Sequence, residues 1–270
     1  SSTVGLTTDT APITLNLNGI TLNNLSDFNT TTSRTVTLSS NLSVGGTFAF
    51  SSTTGTQTWN GFTITTAGSV SMAGLTSGIV TGTSILSRTG GTLSMNASVT
   101  TGSLRLPITF AGNSTVSGAI KYRTGTITYS SGTITSTGST LDIIASSTLT
   151  TNGMTWNAIT VSATSTLTLG SNLAVTTMTW SAAVTFAGAY DVTIGTLSAT
   201  TAGLTHTLVA GETYSVTTAL TMTGTSGSLI VLQSSSASTY SYFPLTPGAT
   251  MSVSYVSAKD IDSSGGRRIV

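Results

Sequence analysis

The sequence predicts an all-β protein, folded as a right-handed parallel β-helix (a β-solenoid) with short strands and coils of variable length. Three observations lead to this fold class. Apolar residues recur in pairs two positions apart, turn-forming residues separate these pairs, and charge is scarce. Charged residues make up 6% of the 270-residue chain, against about 25% in an ordinary soluble domain.

The apolar pairs mark short strands, because side chains two positions apart point to the same face of a strand. Threonine occupies many of the alternate positions, where its branched Cβ favours extended backbone. The stretch from Thr151 to Trp180 contains no charged residue or histidine. The residues that we expect inside the fold are Val161, Leu167, Leu169, Val175, Val184, Phe186, Val192 and Ile194.

Asn-Gly dipeptides provide the clearest turn signals, at Asn18-Gly19, Asn60-Gly61 and Asn152-Gly153. Each dipeptide is also compatible with a hairpin turn, which leaves a β-sandwich as the alternative architecture. The scarcity of charge favours the solenoid. Successive coils of a solenoid place residues of the same type on top of each other, about 4.8 Å apart, and stacked charges of one sign repel each other. Small polar residues stack without that cost.

Coil length and domain organisation follow from the repeats. Trp156 and Trp180 each end a Met-Thr-Trp tripeptide. The interval between them matches the coil of about 20–25 residues that is typical of solenoids, which predicts one coil between the two tryptophans. We assign residues 1–210 to a β-helix repeat region and 211–270 to a terminal β-helix module.

Composition excludes several classes of function. The chain has no cysteine, and therefore no disulfide, thiolate nucleophile or cysteine metal site. A net charge of +1 gives no electrostatic basis for binding nucleic acid, and no apolar run of about 18 residues predicts a membrane span. The chain starts at Ser1 without a signal peptide and stops on Ile269-Val270, so we expect a fragment or a processed chain.

Two stretches resemble repeats in large virion-surface proteins of environmental tailed bacteriophages. The first is Gly125–Val161 and the second, closer one is Gly211–Val270. Landmarks of the second are Leu220–Thr225, Leu232–Ser236, Pro247–Thr250 and Asp260–Gly266. In such β-helical fibre or spike-like proteins, the last landmark is usually followed by Thr-Ile-Trp. This chain departs from that pattern with Arg267-Arg268-Ile269-Val270.

The resemblance implies a structural virion protein: a fibre, spike or other surface appendage, with host receptor binding among its roles. The implied partners are other copies of the chain, other virion proteins and a host surface glycan, and the implied location is the virion surface. A secreted bacterial adhesin or surface-layer repeat protein, located outside the cell, is the alternative. A β-helical carbohydrate-active enzyme is a weaker alternative, and we expect no enzymatic activity and no cofactor.

Few residues offer chemistry. His206 has no serine or aspartate motif with it, and we expect it in mid-strand facing solvent. Asp260 and Asp262 with the following serines supply oxygen atoms of the kind that calcium binds, but ordinary turns use the same residues. Glycoside hydrolysis needs two carboxylates across a cleft. The seven acids are scattered at Asp9, Asp27, Asp142, Asp191, Glu212, Asp260 and Asp262.

The basic residues Arg105, Lys121 and Arg123 form a local positive cluster, and we interpret it as a solvated face without a carboxylate pair beside it. We therefore predict no catalytic, cofactor-binding or metal-binding residue.

Aromatic residues divide into two groups. Trp59, Trp156 and Trp180 lie in alternating strands, and we expect them to fill the core. Tyr240, Tyr242 and Phe243 lie in a loop-like stretch, and we predict that they are near a subunit contact. A β-helix exposes unpaired backbone groups at an open coil. We therefore expect a homo-oligomer, and the resemblance to fibrous phage appendages, which are often trimers, favours a trimer.

Thr-x-Thr tripeptides suggest one more functional hypothesis, ice binding. Outward threonine ladders on a flat solenoid face are the binding surface of some ice-binding proteins. The irregular intervals argue against one flat array here, although coils of variable length would restore it. The tripeptides are Thr63–Thr65, Thr126–Thr128, Thr133–Thr135, Thr166–Thr168, Thr177–Thr179 and Thr221–Thr223.

Overall fold

Parallel pairing between strands one coil apart defines the fold. The computed structural model describes residues 3–6, 12–27, 33–50, 55–71, 79–94, 103–104, 106–122 and 125–266. Its strands are short, and each pairs in parallel with the strand one coil earlier or later. The parallel β-solenoid predicted from the sequence is therefore confirmed, and the hand of the coil stays a prediction. The chain divides into two units, Ser1–Leu141 and Asp142–Val270.

Unit 1 has three parallel sheets, which are the three faces of its coils. The strands of the first face are Thr3–Leu6, Asn24–Asp27, Phe48–Phe50, Val70–Ser71, Thr92–Ser94, Ser114–Ser117 and Ile134–Thr135. Those of the second are Ile13–Leu15, Arg34–Leu38, Thr56–Gly61, Ile79–Thr81, Ser103–Leu104 and Ala119–Tyr122. Those of the third are Thr21–Leu22, Leu42–Val44, Ile64–Thr66, Leu86–Arg88, Ile108–Ala111 and Thr126–Ser131. Strand Thr140–Ile143 contains the boundary between the units.

Unit 2 has one sheet of long strands, which we call the bent sheet, and one of shorter strands, the short-strand sheet. The bent sheet contains Thr155–Val161, Leu173–Trp180, Val192–Ala199, Tyr214–Thr223 and Thr250–Ser254. The short-strand sheet contains Ser147–Thr150, Ser165–Leu169, Val184–Ala187, Thr205–Leu208, Ile230–Ser234 and Val256–Lys259. A small parallel pair joins Ser241–Tyr242 to Ile261–Asp262.

The long strands of the bent sheet turn a corner. In the strands that begin at Thr155, Leu173 and Val192, the inward–outward alternation is broken once by consecutive residues that both point outward. These residues are Asn157-Ala158, Thr176-Thr177 and Gly195-Thr196. Such an irregularity bends a strand. The residues before and after the corner therefore lie on two different faces of the coil.

Coil length varies more than the sequence suggested. In unit 1, Ile64 pairs with Leu86, and Ile108 pairs with Ile127. The coil from Ile108 to Ile127 is therefore shorter than the coil from Ile64 to Leu86. In unit 2, Trp156 pairs with Val175, whereas Leu220 pairs with Met251 across a much longer stretch of chain. The coils of unit 2 therefore lengthen towards its last strands.

The prediction that Trp156 and Trp180 mark one coil is wrong. Trp180 pairs with Val161, because the two Met-Thr-Trp tripeptides occupy different positions along their strands. The predicted domain boundary at residue 210 lies within unit 2, just before its coils lengthen.

The interior of each unit is a set of apolar ladders. All eight residues predicted to be inside are buried, at 2% exposure or less. Leu167 pairs with Phe186, and Val175 pairs with Ile194, so that like faces stack from coil to coil. Aromatic rings add to this packing: Trp180 lies 6.0 Å from Phe186, centroid to centroid, and Phe186 lies 5.0 Å from Tyr214.

The Asn-Gly dipeptides lie between or within parallel strands and make no hairpins. Asn152 and Gly153 both have positive φ, at 45° and 85°, and the Met154 N–H donates to the Thr151 carbonyl at 2.9 Å. Asn18-Gly19 repeats this turn, with the Ile20 N–H donating to the Leu17 carbonyl at 2.8 Å. Asn60-Gly61 differs, because both residues belong to strand Thr56–Gly61.

Asparagine side chains form a second kind of corner contact, which the sequence analysis missed. Asn24 Oδ1 accepts the Thr47 N–H at 2.8 Å, and Asn113 Oδ1 accepts the Thr133 N–H at 2.8 Å. Each asparagine thus satisfies a backbone donor of the next coil, where regular pairing is interrupted. We call these contacts asparagine caps. They link the coils of unit 1 without any charge.

Candidate functional surface

The segment Tyr240–Leu245 places two tyrosines on the surface of unit 2. Its side chains alternate: Tyr240 and Tyr242 are 55% and 43% exposed, whereas Ser241 and Phe243 are fully buried. The backbone is held on both sides, because the Tyr242 N–H donates to the Glu212 carbonyl at 2.9 Å and the Phe243 N–H donates to the Asp262 carbonyl at 2.7 Å. We call Tyr240 and Tyr242 the tyrosine patch.

Burial limits what Phe243 can contribute to the predicted contact. Phe243 is 0% exposed, so its side chain packs inside the coil and is not available to another chain. Tyr240 and Tyr242 are two positions apart, Tyr242 in strand Ser241–Tyr242 and Tyr240 just before it, and both side chains are exposed. They can meet a partner together, and the subunit contact stays a prediction for these two residues.

Glu212 lies beside the patch, and a second acidic residue, Asp191, lies one coil earlier. Asp191 Oδ1 accepts the N–H of Thr213 at 2.8 Å, and Glu212 directly precedes Thr213. The Asp191 N–H in turn donates to Asn172 Oδ1 at 3.1 Å. Asp191 therefore acts in unit 2 as the asparagine caps do in unit 1. One of its carboxylate oxygens already has a structural hydrogen bond.

Tyr214 is the buried titratable group of this region. Burial raises the pKa of its hydroxyl above the ordinary range. The Val209 N–H, which donates to Tyr214 Oη at 3.1 Å, opposes that rise, and the charges of Glu212 and Asp191 add to it. Because the neutral form is favoured, Tyr214 is a packed core residue that accepts a backbone hydrogen bond.

Asp260 and Asp262 form a turn. Asp262 Oδ1 accepts the N–H of Ser264 at 2.7 Å, which is the side-chain hydrogen bond of an Asx turn. Asp260 has a φ of 54°, and its carbonyl accepts the Ser241 N–H at 3.1 Å. Among the described residues, no three His, Asp or Glu side chains come together as ligands of a metal ion.

His206 is inside the core, and the prediction that it faces solvent is wrong. It is 0% exposed, and its ring lies 4.7 Å from that of Trp180. Burial lowers the pKa of its imidazole to about 4. Neither ring nitrogen has a hydrogen-bond partner within the described part of the chain.

Arg88 is a buried cation that was not predicted from the sequence. It is fully buried in unit 1 and donates to Thr66 Oγ1 at 2.6 Å and to the carbonyls of Gly90 at 2.6 Å and Gly68 at 3.0 Å. Burial lowers the pKa of its guanidinium to about 10. The guanidinium thus joins carbonyl groups of two successive coils from inside.

The other predicted residues are placed as follows. The three tryptophans are buried, so the prediction that they fill the core is confirmed. Of the basic cluster, Arg105 and Arg123 lie outside the described residues, and only the backbone of Lys121 is described, in strand Ala119–Tyr122.

Comparison with protein-family models, with curated proteins and with solved structures gave no match to this chain. No helix in the described part of the chain has the length and apolar character needed to cross a membrane.

Proposed function

We propose that the chain is a structural protein of the virion surface of a tailed bacteriophage, where it forms part of a fibre, spike or similar appendage. The main support is the resemblance of Gly125–Val161 and Gly211–Val270 to repeats of such proteins. The parallel β-solenoid agrees with that resemblance. Polar side chains at the corners stabilise the coils, as expected in a structural protein. Asn24, Asn113 and Asp191 all accept backbone hydrogen bonds from the next coil.

The tyrosine patch supports an oligomeric assembly. Tyr240 and Tyr242 expose large aromatic rings that no residue within unit 2 covers fully. Tyrosine is enriched in protein interfaces, because it combines apolar area with a hydroxyl that can hydrogen-bond. We propose a homotrimer in which the patch contacts a second copy of the chain.

Immunogold electron microscopy tests the location. Antibodies raised against the chain are expected to decorate the outside of phage particles taken from the source of the sequence. Labelling of bacterial surfaces, with unlabelled particles, would overturn the proposal in favour of the adhesin alternative.

Light scattering tests the assembly. The chain is expected to have three times the mass of a monomer, and Tyr240→Ser with Tyr242→Ser is expected to shift it towards the monomer. Tyr190→Ser is the matched control, because Tyr190 is also exposed, at 37%, and lies outside the patch. A wild-type chain that stays monomeric at high concentration would contradict the trimer.

A further inference from the structure

One face of unit 2 carries a regular grid of ten small side chains, eight of which bear a hydroxyl group, and it lies after the corner of the bent sheet. Two outward files run across five strands. The first file is Ala158, Thr177, Thr196, Ala219 and Thr250. The second file is Thr160, Thr179, Ser198, Thr221 and Ser252. We call these ten residues the hydroxyl array.

The variable coil length hides this array in the sequence. The interval from one member of the first file to the next is constant as far as Thr196 and then grows, and it is longest between Ala219 and Thr250. The structure nevertheless pairs these residues in one file, because the additional residues of the longer coils lie at the corners and not at the paired positions. Of the six Thr-x-Thr tripeptides, Thr177–Thr179 forms one rung of the array, and Thr221–Thr223 contributes Thr221 to another.

The spacing of the array is fixed by the sheet. Neighbouring files are two positions apart along a strand, which is about 6.6 Å, and neighbouring rungs are about 4.8 Å apart. The spacing between rungs is close to one repeat distance between water oxygens in ice crystals, and the spacing between files is somewhat shorter than the other repeat. A threonine at such a position offers ordered water a methyl group and a hydroxyl that both donates and accepts.

The backbone below the array is held in place. The residue between the two files lies on the opposite face of its strand, and on the first four strands it is buried at 1% exposure or less: Ile159, Met178, Leu197 and Leu220. Close-packed interiors restrict movement of the strands that they support. The array is therefore preorganised, and ordering it on binding has a low entropic cost.

The electrostatic character of the array fits a neutral, hydrogen-bonding partner. None of the five strands contains a charged residue or histidine in the part that carries the array. Within the described part of the chain, none of the eight array hydroxyls forms a hydrogen bond to another protein group. These hydroxyls are complementary to a lattice of water, which is uncharged and offers donors and acceptors in equal number.

The short-strand sheet of the same unit provides a contrast. One of its outward files begins with Thr166, Thr185 and Thr207 but continues with Gln233 and Lys259. A long amide side chain and a charged side chain both project above the level of a threonine. The file on this sheet is therefore interrupted within five rungs, whereas the array keeps small side chains throughout.

We propose that the hydroxyl array binds the surface of ice. The expected result is that the full chain shapes growing ice crystals into facets and becomes enriched in ice grown slowly from its solution. This inference goes beyond the virion role and is independent of it, because antibody labelling of particles and binding to ice are separate measurements.

Paired variants test the array. Thr179→Tyr, on the second of its five strands, is expected to remove most of the enrichment in ice, because a bulky ring holds the neighbouring small side chains away from the crystal. Thr185→Tyr is the matched control, since Thr185 points outward on the short-strand sheet, and it is expected to keep the wild-type enrichment. Circular dichroism establishes that both variants are folded, and Ser252→Tyr replaces Thr179→Tyr if the latter is not.

Two results would overturn the proposal. One is a folded wild-type chain that is excluded from ice as completely as an ordinary globular protein. The other is an equal loss of enrichment in Thr179→Tyr and in Thr185→Tyr, which would mean that the array has no special part in binding.

Discussion

At the scale of single residues, polar groups inside the coils are the main departure from an apolar core. His206 is two positions before Leu208 and shares its inward face. Arg88 is two positions after Leu86 and likewise shares its inward face. The alternation therefore contained a signal for both, because residues in phase with buried leucines point inward whatever their polarity. The polarity of His206 suggests a solvent-facing position, but its phase in the strand decides its direction.

We expect acid to destabilise unit 2 through His206. The pKa of its imidazole is about 4 in the folded state and about 6.5 in an unfolded chain. Between these values the unfolded state binds more protons. The stabilisation is therefore fully present above pH 6.5 and is lost as the pH falls to 4, by about 3 kcal/mol. The flanking strands Val184–Ala187 and Ile230–Ser234 carry no charged residue that would offset this.

His206→Phe is the variant that isolates the effect. At neutral pH it is expected to be more stable than wild type by about 1–3 kcal/mol, because two unsatisfied ring nitrogens are removed. Its stability is expected to change less between pH 6.5 and 4, when urea denaturation is followed across that range. Equal pH dependence in the two proteins would show that other groups are responsible.

Phe186→Ala measures the packing of the aromatic core. The ring is buried between Trp180 and Tyr214, so its loss leaves a cavity and is expected to cost about 3–5 kcal/mol in urea denaturation. Thr185→Ala, which changes the outward neighbour on the same strand, is the control and is expected to cost far less. A similar small loss in both variants would be incompatible with the buried position of Phe186.

At the scale of strands and turns, alternation allows the inside and outside of many strands to be predicted from the sequence. The turns do not allow the length of each coil to be predicted. Leu167, Leu169 and Phe186 were placed correctly, because each strand has its own period of two. Coil length could not be predicted, because turns differ in length and their number of residues has no periodic signal. The hydroxyl array depends on how coils align, so it was visible only in the structure.

The asparagine caps predict a specific loss at the corners of unit 1. Asn113→Leu is expected to destabilise the protein by about 1 kcal/mol, because the Thr133 N–H loses its acceptor. Asn113→Asp keeps an oxygen at the same position, and its stability at neutral pH is expected to remain close to that of wild type. Chemical denaturation of the three proteins side by side makes the comparison. Equal losses in the Leu and Asp variants would contradict a role for the side-chain oxygen.

At the scale of the whole molecule, stability rests on apolar ladders and backbone pairing, with little contribution from charge. The chain has eight Lys and Arg residues and seven Asp and Glu residues in 270. Exposed ion pairs contribute about 0–1 kcal/mol each, and salt weakens them. We therefore expect the thermal unfolding midpoint to be nearly the same at low and at high sodium chloride concentration. A large fall of the midpoint with salt would reveal an ionic contribution that the composition does not suggest.

The pairing of each strand with its counterpart in the preceding coil also has a consequence for synthesis in the cell. In unit 2, Val175 needs only Trp156 and Ile194 as its partners on the sheet. A ribosome adds about 5–20 residues per second, so a coil of about 20 residues leaves the exit tunnel within about one to four seconds of the coil on which it docks. Folding can follow translation one coil at a time, so that each newly formed sheet edge is covered by the next coil before it meets another chain.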